Sequence, residues 1–140
     1  MIDSFNGDFD FLSNFYGKNR TVEHYYQAAK TLDPGWQTEI INAETPGRAK
    51  RIGQKAPLRE DWDDIKVNVM LTFLREKFKD QKLKIKLIDT HPHSLVEGNT
   101  WHDNFWGICS CPKCHNKESN NMLGYLLAKV RAEIMAEMKK

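Results

Sequence analysis

The chain is organised around the seven residues Trp101–Gly107, whose sequence is WHDNFWG. Aromatic side chains left in water forgo the burial of a large apolar area. Polar side chains taken out of water each need a hydrogen-bond partner. The mixture is therefore typical of a pocket wall, where rings stack on a flat ligand and polar groups fix it. The alternative is a packed hairpin corner, in which the rings cover a core and the polar groups bind backbone.

The composition indicates an ordinary soluble globular protein. Hydrophobic residues make up 40% and charged residues 29% of 140 residues, which predicts a single domain over residues 1–140. The net charge of +2 is too small to argue for nucleic acid. No apolar run is long enough to cross a membrane, and the acidic N-terminus does not resemble a signal peptide. Three cysteines cannot form a disulfide framework, so a reducing, cytoplasmic location is expected.

The spacing of apolar residues predicts an α+β fold that is mainly α-helical, with a few short strands. The predicted helices cover residues 22–32, 36–43, 46–53 and 62–79. A last helix is predicted to begin at Asn120 or Asn121, and its inward face extends to Met138. Short strands are predicted around Phe9 and Phe11 and over residues 94–97. Residues 82–88 fit either a strand with outward lysines or a short helix.

The first and fourth helices carry polar residues that suit chemistry. Glu23, Tyr26, Gln27 and Lys30 share one face of the first helix, although a solvated face is the simpler interpretation. Lys66 falls inside the apolar face of the fourth helix, four residues after Trp62. Such a lysine usually extends to water, but beside a tryptophan it can become desolvated and act as a nucleophile.

Three carboxylates are candidates for acid–base chemistry, namely Glu23, Glu97 and Asp103, because each lies next to aromatic residues. Cleavage of a glycosidic bond uses two carboxyl groups in unequal environments, one protonated and one ionised. No Walker or dinucleotide-binding glycine motif and no nucleophile elbow is present.

The cysteine-rich segment raises the question of zinc. Cys109, Cys111, Cys114 and His115 offer four donors within seven residues, which makes it awkward for them to surround one ion. The more distant His102 is an alternative fourth ligand. Reduced loop cysteines are the favoured interpretation, so no metal and no cofactor is expected.

Six short pieces of sequence, spread from about residue 5 to the last helix, form one pattern. They are Phe11-Leu-Ser-Asn-Phe15, Val22-Glu-His-Tyr-Tyr-Gln-Ala28 with Lys30, Arg59-x-Asp-Trp62 with Lys66 and Val69-Met70, Leu95-Val-Glu97, Asp103-x-x-Trp-Gly107, and Asn121-x-Leu-Gly124. In this order they resemble the NADAR family, also called YbiA-like. The cysteine segment before Asn121 departs from the shorter members of that family.

The resemblance implies an N-glycosidase that hydrolyses a bond between ribose and a base. The substrates implied are phosphoribosylamino-pyrimidine intermediates of riboflavin synthesis, or guanine that carries ADP-ribose, including in nucleic acid. It also implies catalytic roles for Glu23, Lys66 and Asp103, with Lys30 as the second choice for a Schiff-base lysine. The expected substrate-binding residues are Asn14, Phe15, Tyr26, Lys30, Trp62, Glu97, Trp106, Gly107 and Asn121.

Other functions stay open at this point. Water activated by Glu23 or Asp103 can replace the covalent step. A binding module that recognises ADP-ribose or NAD without turnover is the alternative from another class. An RNA-binding domain that uses the lysines from Lys82 to Lys86 is weaker, because no aromatic residues interleave them. The oligomeric state is not indicated by the sequence.

Overall fold

The computed structural model describes all of residues 1–140 and is mainly helical. The α-helices are α1 (Val22–Ala29), α2 (Pro34–Ile41), α3 (Pro46–Gly53), α4 (Trp62–Lys77), α5 (Gln81–Asp89) and α6 (Met122–Met138). The strands are β1 (Gly98–Asn99) and β2 (Ile108–Cys109), and two 3-10 helices cover Gly7–Leu12 and Pro112–Cys114. The predicted α+β fold, mainly helical with a few short strands, is confirmed. No helix is both long enough and apolar enough to cross a membrane.

The chain divides into two compact units. The helical unit is Asn14–Lys77, and the mixed unit combines Met1–Ser13 with Phe78–Lys140. That the whole chain acts as one domain stays a prediction.

Short polar caps define the helices of the helical unit. The side chains of Thr21, Asp33 and Thr45 each accept a hydrogen bond from the backbone N–H three residues later, which satisfies a donor at the helix start. Pro34 occupies the first turn of α2, where its missing N–H costs nothing. The sequence Asp33-Pro34 therefore starts α2, two residues earlier than predicted.

Small residues let the first three helices approach one another. Ala28 of α1, Ile40 of α2 and Ala49 of α3 form a buried cluster. The partly buried residues packed against this cluster are Ile41, Ala43, Ile52 and Ala56. The alanines bring the backbones of α1 and α3 close, and this closeness sets the geometry of the candidate site.

In the mixed unit, residues 100–107 join two parallel strands. Gly98 pairs with Ile108 and Asn99 pairs with Cys109. Parallel strands usually need a connection of a dozen or more residues, but strands of only two residues can be joined by this shorter loop. The WHDNFWG segment therefore lies within the crossover connection of the sheet.

The two strands predicted around Phe9 and Phe11 and over residues 94–97 were wrong. Phe9 and Phe11 lie in a 3-10 helix, which begins at Gly7 with a positive φ of 56°, a conformation that glycine adopts without steric cost. Within residues 94–97 only Leu95 forms a bridge, to Ile2, and the paired strand starts at Gly98. Alternation of side chains cannot distinguish a strand from so short a helical turn.

The later helices settle two further questions. Residues 82–88 are helical, because Asp80 caps α5 by accepting a hydrogen bond from the Leu83 N–H at 3.1 Å. The expected inward face of α6 is buried as far as Val130, but Met138 is 65% exposed. The prediction that Met138 faces inward was wrong, because α6 continues past the core that it covers.

Candidate active site

A buried carboxylate–amide pair lies on α1. Glu23 is only 7% exposed, and Gln27, one turn later, is buried as well. The Gln27 Nε2 donates a hydrogen bond to the Glu23 Oε1 over 2.7 Å. The pairing follows from the four-residue spacing, which puts both side chains on one face of the helix.

The environment of Glu23 works in two opposite directions on its pKa. Burial is the largest influence and raises the pKa above the ordinary value, because a desolvated carboxylate is disfavoured. The hydrogen bond from Gln27 and the positive charges of Lys50 and Lys30 lower it, but they do not cancel the effect of burial. The result is a carboxyl group whose pKa is moved towards neutral pH, which is what a general acid requires.

Gln27 also has an acceptor that is not used within the protein. Its Oε1 is buried and has no hydrogen-bond partner, and such an atom normally has one in a folded protein. Gly53 of α3 lies directly against this amide, since a Cβ at Gly53 would collide with the Gln27 Oε1. Glycine is therefore required at this point if the amide is to keep its position.

Three partly buried lysines form a cluster in the helical unit, namely Lys30, Lys50 and Lys66. The charges of Lys30, which directly follows α1, and of Lys50 on α3 act on Glu23, and the charge of Lys66 on α4 acts on Lys30. Burial lowers the pKa of Lys30, the charges of Lys50 and Lys66 lower it further, and only Glu23 opposes this. The Lys30 Nζ lies 5.6 Å from the centre of the Tyr26 ring. The Lys66 Nζ lies 3.4 Å from the Asp63 Oδ1.

Two aromatic residues of the helical unit, Tyr26 and Trp62, are enclosed. Their ring centres lie 5.1 Å apart at 59°, and their exposed fractions are 6% and 5%. They therefore leave little ring surface to stack on a base. Phe15 is exposed, and the Asn14 Nδ2 donates to the Met70 sulfur at 3.5 Å while its Oδ1 is buried without a partner.

In the mixed unit, the carboxylate of Asp103 orders its own loop. Its Oδ1 accepts hydrogen bonds from the backbone N–H groups of Phe105 at 3.2 Å and Trp106 at 2.9 Å. The Asn99 side chain holds the same residue by bonding to its backbone N–H and carbonyl. The geometry gives Asp103 a structural task, and its catalytic role stays a prediction.

Glu97, Gly107 and Asn121 also take part in tight backbone packing. The Asn121 Oδ1 accepts from the Glu97 N–H at 3.0 Å, and its Nδ2 donates to the Leu95 carbonyl at 2.9 Å. A Cβ at Gly107 would collide with the Glu97 carbonyl, and one at Gly124 would collide with that of Leu95. That Glu97, Gly107 and Asn121 contact substrate stays a prediction.

The α6 N-terminus shows why Asn121 does not cap the helix with its side chain. The Met122 and Leu123 N–H groups donate instead to the carbonyls of Phe105 and Trp106, at 2.9 and 3.0 Å. The Asn121 side chain is thereby released to hold residues 95–97. Its own backbone has a positive φ of 46°, which asparagine tolerates better than most residues.

The predicted site residues are divided between the two units. Those in the helical unit are Asn14, Phe15, Glu23, Tyr26, Lys30, Trp62 and Lys66, and those in the mixed unit are Glu97, Asp103, Trp106, Gly107 and Asn121. Helical spacing placed Gln27 on the face of Glu23, but the sequence assigned it no role in the site. Sequence reasoning missed Lys50 and Gly53, because no local pattern marks residues that depend on how α3 packs on α1.

The sequence offered His115 and His102 as alternative fourth donors for the cysteine segment, and the structure favours His102. The three cysteines gather with His102, while His115 is exposed and lies outside the cluster. The 3-10 helix Pro112–Cys114 carries the chain onward so that His115 follows the last cysteine on the outer side.

A desolvated acid beside several lysines, one of lowered pKa, is typical of an acid–base enzyme, because such perturbed groups cluster at functional sites. The model of the NADAR domain matches residues 7–135 of the chain. The chain belongs to the NADAR family.

Relatives with curated names agree with this membership. The N-glycosidase YbiA of Shigella flexneri is 38% identical over 120 residues, which are 84% of this chain and 71% of that protein. The riboflavin biosynthesis protein VVA0006 of Vibrio vulnificus is 36% identical over 135 residues, 89% of this chain and 35% of that protein. The NMR structure of the E. coli protein YbiA matches with a TM-score of 0.82 and 32% identity, over 100% of this chain and 90% of that one.

Proposed function

We propose that this protein hydrolyses the N-glycosidic bond of a phosphorylated ribosyl compound, with Glu23 as the general acid–base group. The observation that carries the proposal is the buried Glu23–Gln27 pair beside Lys30 and Lys50. The names of the relatives, which include N-glycosidase YbiA and a riboflavin biosynthesis protein, support this reaction.

Glu23 is suited to protonate the leaving base. Departure of a base from ribose needs a proton on the base nitrogen, and burial keeps the Glu23 carboxyl protonated to a higher pH than usual. Once ionised, the same group can take a proton from the incoming water. Gln27 holds Oε1 of Glu23 in place, so one carboxyl oxygen is left to face the substrate.

A lysine is the proposed nucleophile, and Lys30 is the better placed. Its pKa is lowered mainly by burial, so more of it is the neutral amine that attacks. The Lys66 ammonium, the candidate favoured by the family pattern, is instead engaged by the Asp63 carboxylate. In the first step, a bond forms between Nζ and the anomeric carbon while the bond from that carbon to the base breaks, and the base leaves with the proton of Glu23.

The second step releases the sugar. After the attack, the Nζ passes one proton to the ionised Glu23 carboxylate. Ring opening then breaks the bond between the anomeric carbon and the ring oxygen, the second Nζ proton goes to that oxygen, and the adduct becomes an imine. Water then adds to the imine carbon, the carbon–nitrogen bond breaks, and ribose leaves as its aldehyde while the lysine amine is restored. No oxidant or reductant is consumed.

The lysine cluster favours an anionic substrate. Lys50 places a positive charge near Glu23 that the protonated carboxyl group does not balance, and ammonium groups bind phosphate well. We therefore rank a phosphoribosylamino-pyrimidine first, which agrees with the riboflavin-related name of one relative. ADP-ribosylated guanine, free or in nucleic acid, is the second substrate class.

The decisive experiment is detection of free base by chromatography after incubation with each substrate. We expect base release by the wild type and a loss of at least 100-fold in Glu23→Gln, the order of size for an acid–base group. Glu39→Gln is the matched control, because Glu39 is an exposed glutamate on α2. Equal rates in both variants would remove Glu23 from the mechanism.

The same samples distinguish an enzyme from a binding module. A module that recognises ADP-ribose or NAD would bind the ligand tightly, release no base, and lose little affinity in Glu23→Gln. Isothermal titration with ADP-ribose, run beside the base-release assay, separates the two.

A further inference from the structure

The segment from His102 to Cys114 gathers four metal-ligating side chains in the mixed unit. The ligand atoms of His102, Cys109, Cys111 and Cys114 all lie within 4.8 Å of one another. None of these residues takes part in the reaction proposed above.

The distances match a tetrahedral site. The His102 Nδ1 lies 3.3 Å from the sulfur of Cys111, 3.4 Å from that of Cys114 and 3.9 Å from that of Cys109. With a zinc–sulfur bond of about 2.3 Å and a zinc–nitrogen bond of about 2.0 Å, a tetrahedral nitrogen–sulfur edge is about 3.5 Å. The three separations bracket this value.

Hydrogen bonding alone does not account for the arrangement. One imidazole nitrogen carries either a single proton or a single lone pair, so it can satisfy one sulfur and not three. A cation at the centre of the four atoms satisfies all of them at once. The geometry points to one zinc ion bound by His102, Cys109, Cys111 and Cys114.

The fold shows how four donors so near in sequence can surround one ion. Cys109 lies on β2, and Cys111 and Cys114 flank the start and end of the 3-10 helix Pro112–Cys114. His102 enters from the crossover loop with a positive φ of 70°, an uncommon conformation for this residue type. The ligands therefore come from three segments, namely the crossover loop, β2 and the residues of Cys111–Cys114.

Two further groups support the sulfurs from outside. The His102 backbone N–H donates to the Cys109 sulfur at 3.3 Å, and the Asn104 Nδ2 donates to the Cys114 sulfur at 3.3 Å. Such donors stabilise thiolates and orient metal ligands. Asn104 also accepts from the Cys109 N–H at 3.1 Å, so its amide fixes two ligands.

The donor set indicates zinc and a structural role. Three thiolates and one imidazole in a tetrahedral arrangement suit zinc, and four protein ligands leave no position open for substrate or water. The ion would tie the crossover loop, which carries Asp103 and Trp106, to β2 and the following 3-10 helix.

The metal content of the purified full chain tests the proposal. We expect one zinc per chain by mass spectrometry of metals after expression in zinc-supplemented medium, and the same in His115→Ala. His115 is the matched control, because it follows Cys114 directly but lies outside the cluster. We expect no bound zinc in Cys114→Ser and at least tenfold weaker binding in Asn104→Ala.

Cobalt titration of the wild type keeps the test decisive if Cys114→Ser fails to fold by circular dichroism. We expect thiolate-to-cobalt charge transfer and the strong visible bands of tetrahedral Co²⁺, saturating at one ion per chain. Absence of zinc and of these bands in the reduced wild type would overturn the proposal. Equal loss of zinc in His115→Ala and Cys114→Ser would do the same.

Discussion

Gln27 donates a hydrogen bond to Glu23 over 2.7 Å, while its own Oε1 lies buried without a partner. The amide therefore stabilises the charged form of the carboxyl group against burial, which favours the neutral form. Gln27 is uncharged, so it stabilises the Glu23 carboxylate only through this hydrogen bond. Burial of the carboxyl group lowers the stability of the fold at a pH where the group is ionised.

Glu23→Gln is expected to stabilise the fold at neutral pH while it abolishes activity. Because the folded pKa of Glu23 is raised, its contribution to stability is full below the unfolded pKa and is lost as pH rises through the folded pKa. The variant avoids this loss, so its free energy of unfolding should exceed that of the wild type by about 1 kcal/mol at pH 7. Thermal unfolding at pH 4 and pH 7.5 measures it, and a gain that is equal at both pH values contradicts the assignment.

Gly53→Ala is expected to weaken catalysis by displacing Gln27. The added Cβ would collide with the Gln27 amide, and loss of its hydrogen bond to Glu23 raises the pKa of Glu23 further. In the pH dependence of kcat/KM, the alkaline limb, which reports the loss of the Glu23 proton, should move to higher pH. Gly47→Ala is the control, since only the Thr45 hydroxyl oxygen lies as near as 4.0 Å; an unmoved limb in Gly53→Ala would exclude the effect.

Borohydride added during turnover is expected to trap the sugar on Lys30. Reduction converts the imine to a stable amine, which peptide mass spectrometry can locate. The lowered pKa of Lys30 favours its neutral form, so Lys30→Met should abolish the adduct and Lys66→Met should retain it. An adduct on Lys66 would move the nucleophile to α4, and base release with no adduct would indicate direct attack by water.

The elements with strong local signals could be predicted from the sequence. Helix α3 was predicted with its observed bounds, because Thr45 and Pro46 mark its start and Gly53 marks its end. Helical spacing put Glu23 on one face with Tyr26 and Lys30, but its catalytic role came from the family resemblance and stays a prediction. These features depend on neighbours within one or two helical turns, and periodicity records such neighbours.

The features that the sequence did not reveal depend on long-range packing. Lys50 and Gly53 join the site only because Ala28 and Ala49 let α3 approach α1. His102 lies beside the cysteines because the parallel strand pairing folds residues 100–107 back on β2, and the sequence alone did not decide between His102 and His115. In both cases the decisive contact joins residues whose proximity no local pattern records.

The last prediction concerns Asn121, which holds two backbone groups of residues 95–97. Asn121→Ala removes the acceptor for the Glu97 N–H and the donor for the Leu95 carbonyl, and a buried group left unsatisfied costs about 1–3 kcal/mol. Asn121→Asp keeps the acceptor and loses only the donor, so we expect it to destabilise the chain less. Urea unfolding of both variants, with the exposed Asn120→Ala as control, measures the order. If Asn121→Ala were as stable in urea as the control, the two hydrogen bonds of Asn121 would not contribute to stability, and substrate binding would be left as the role of this residue.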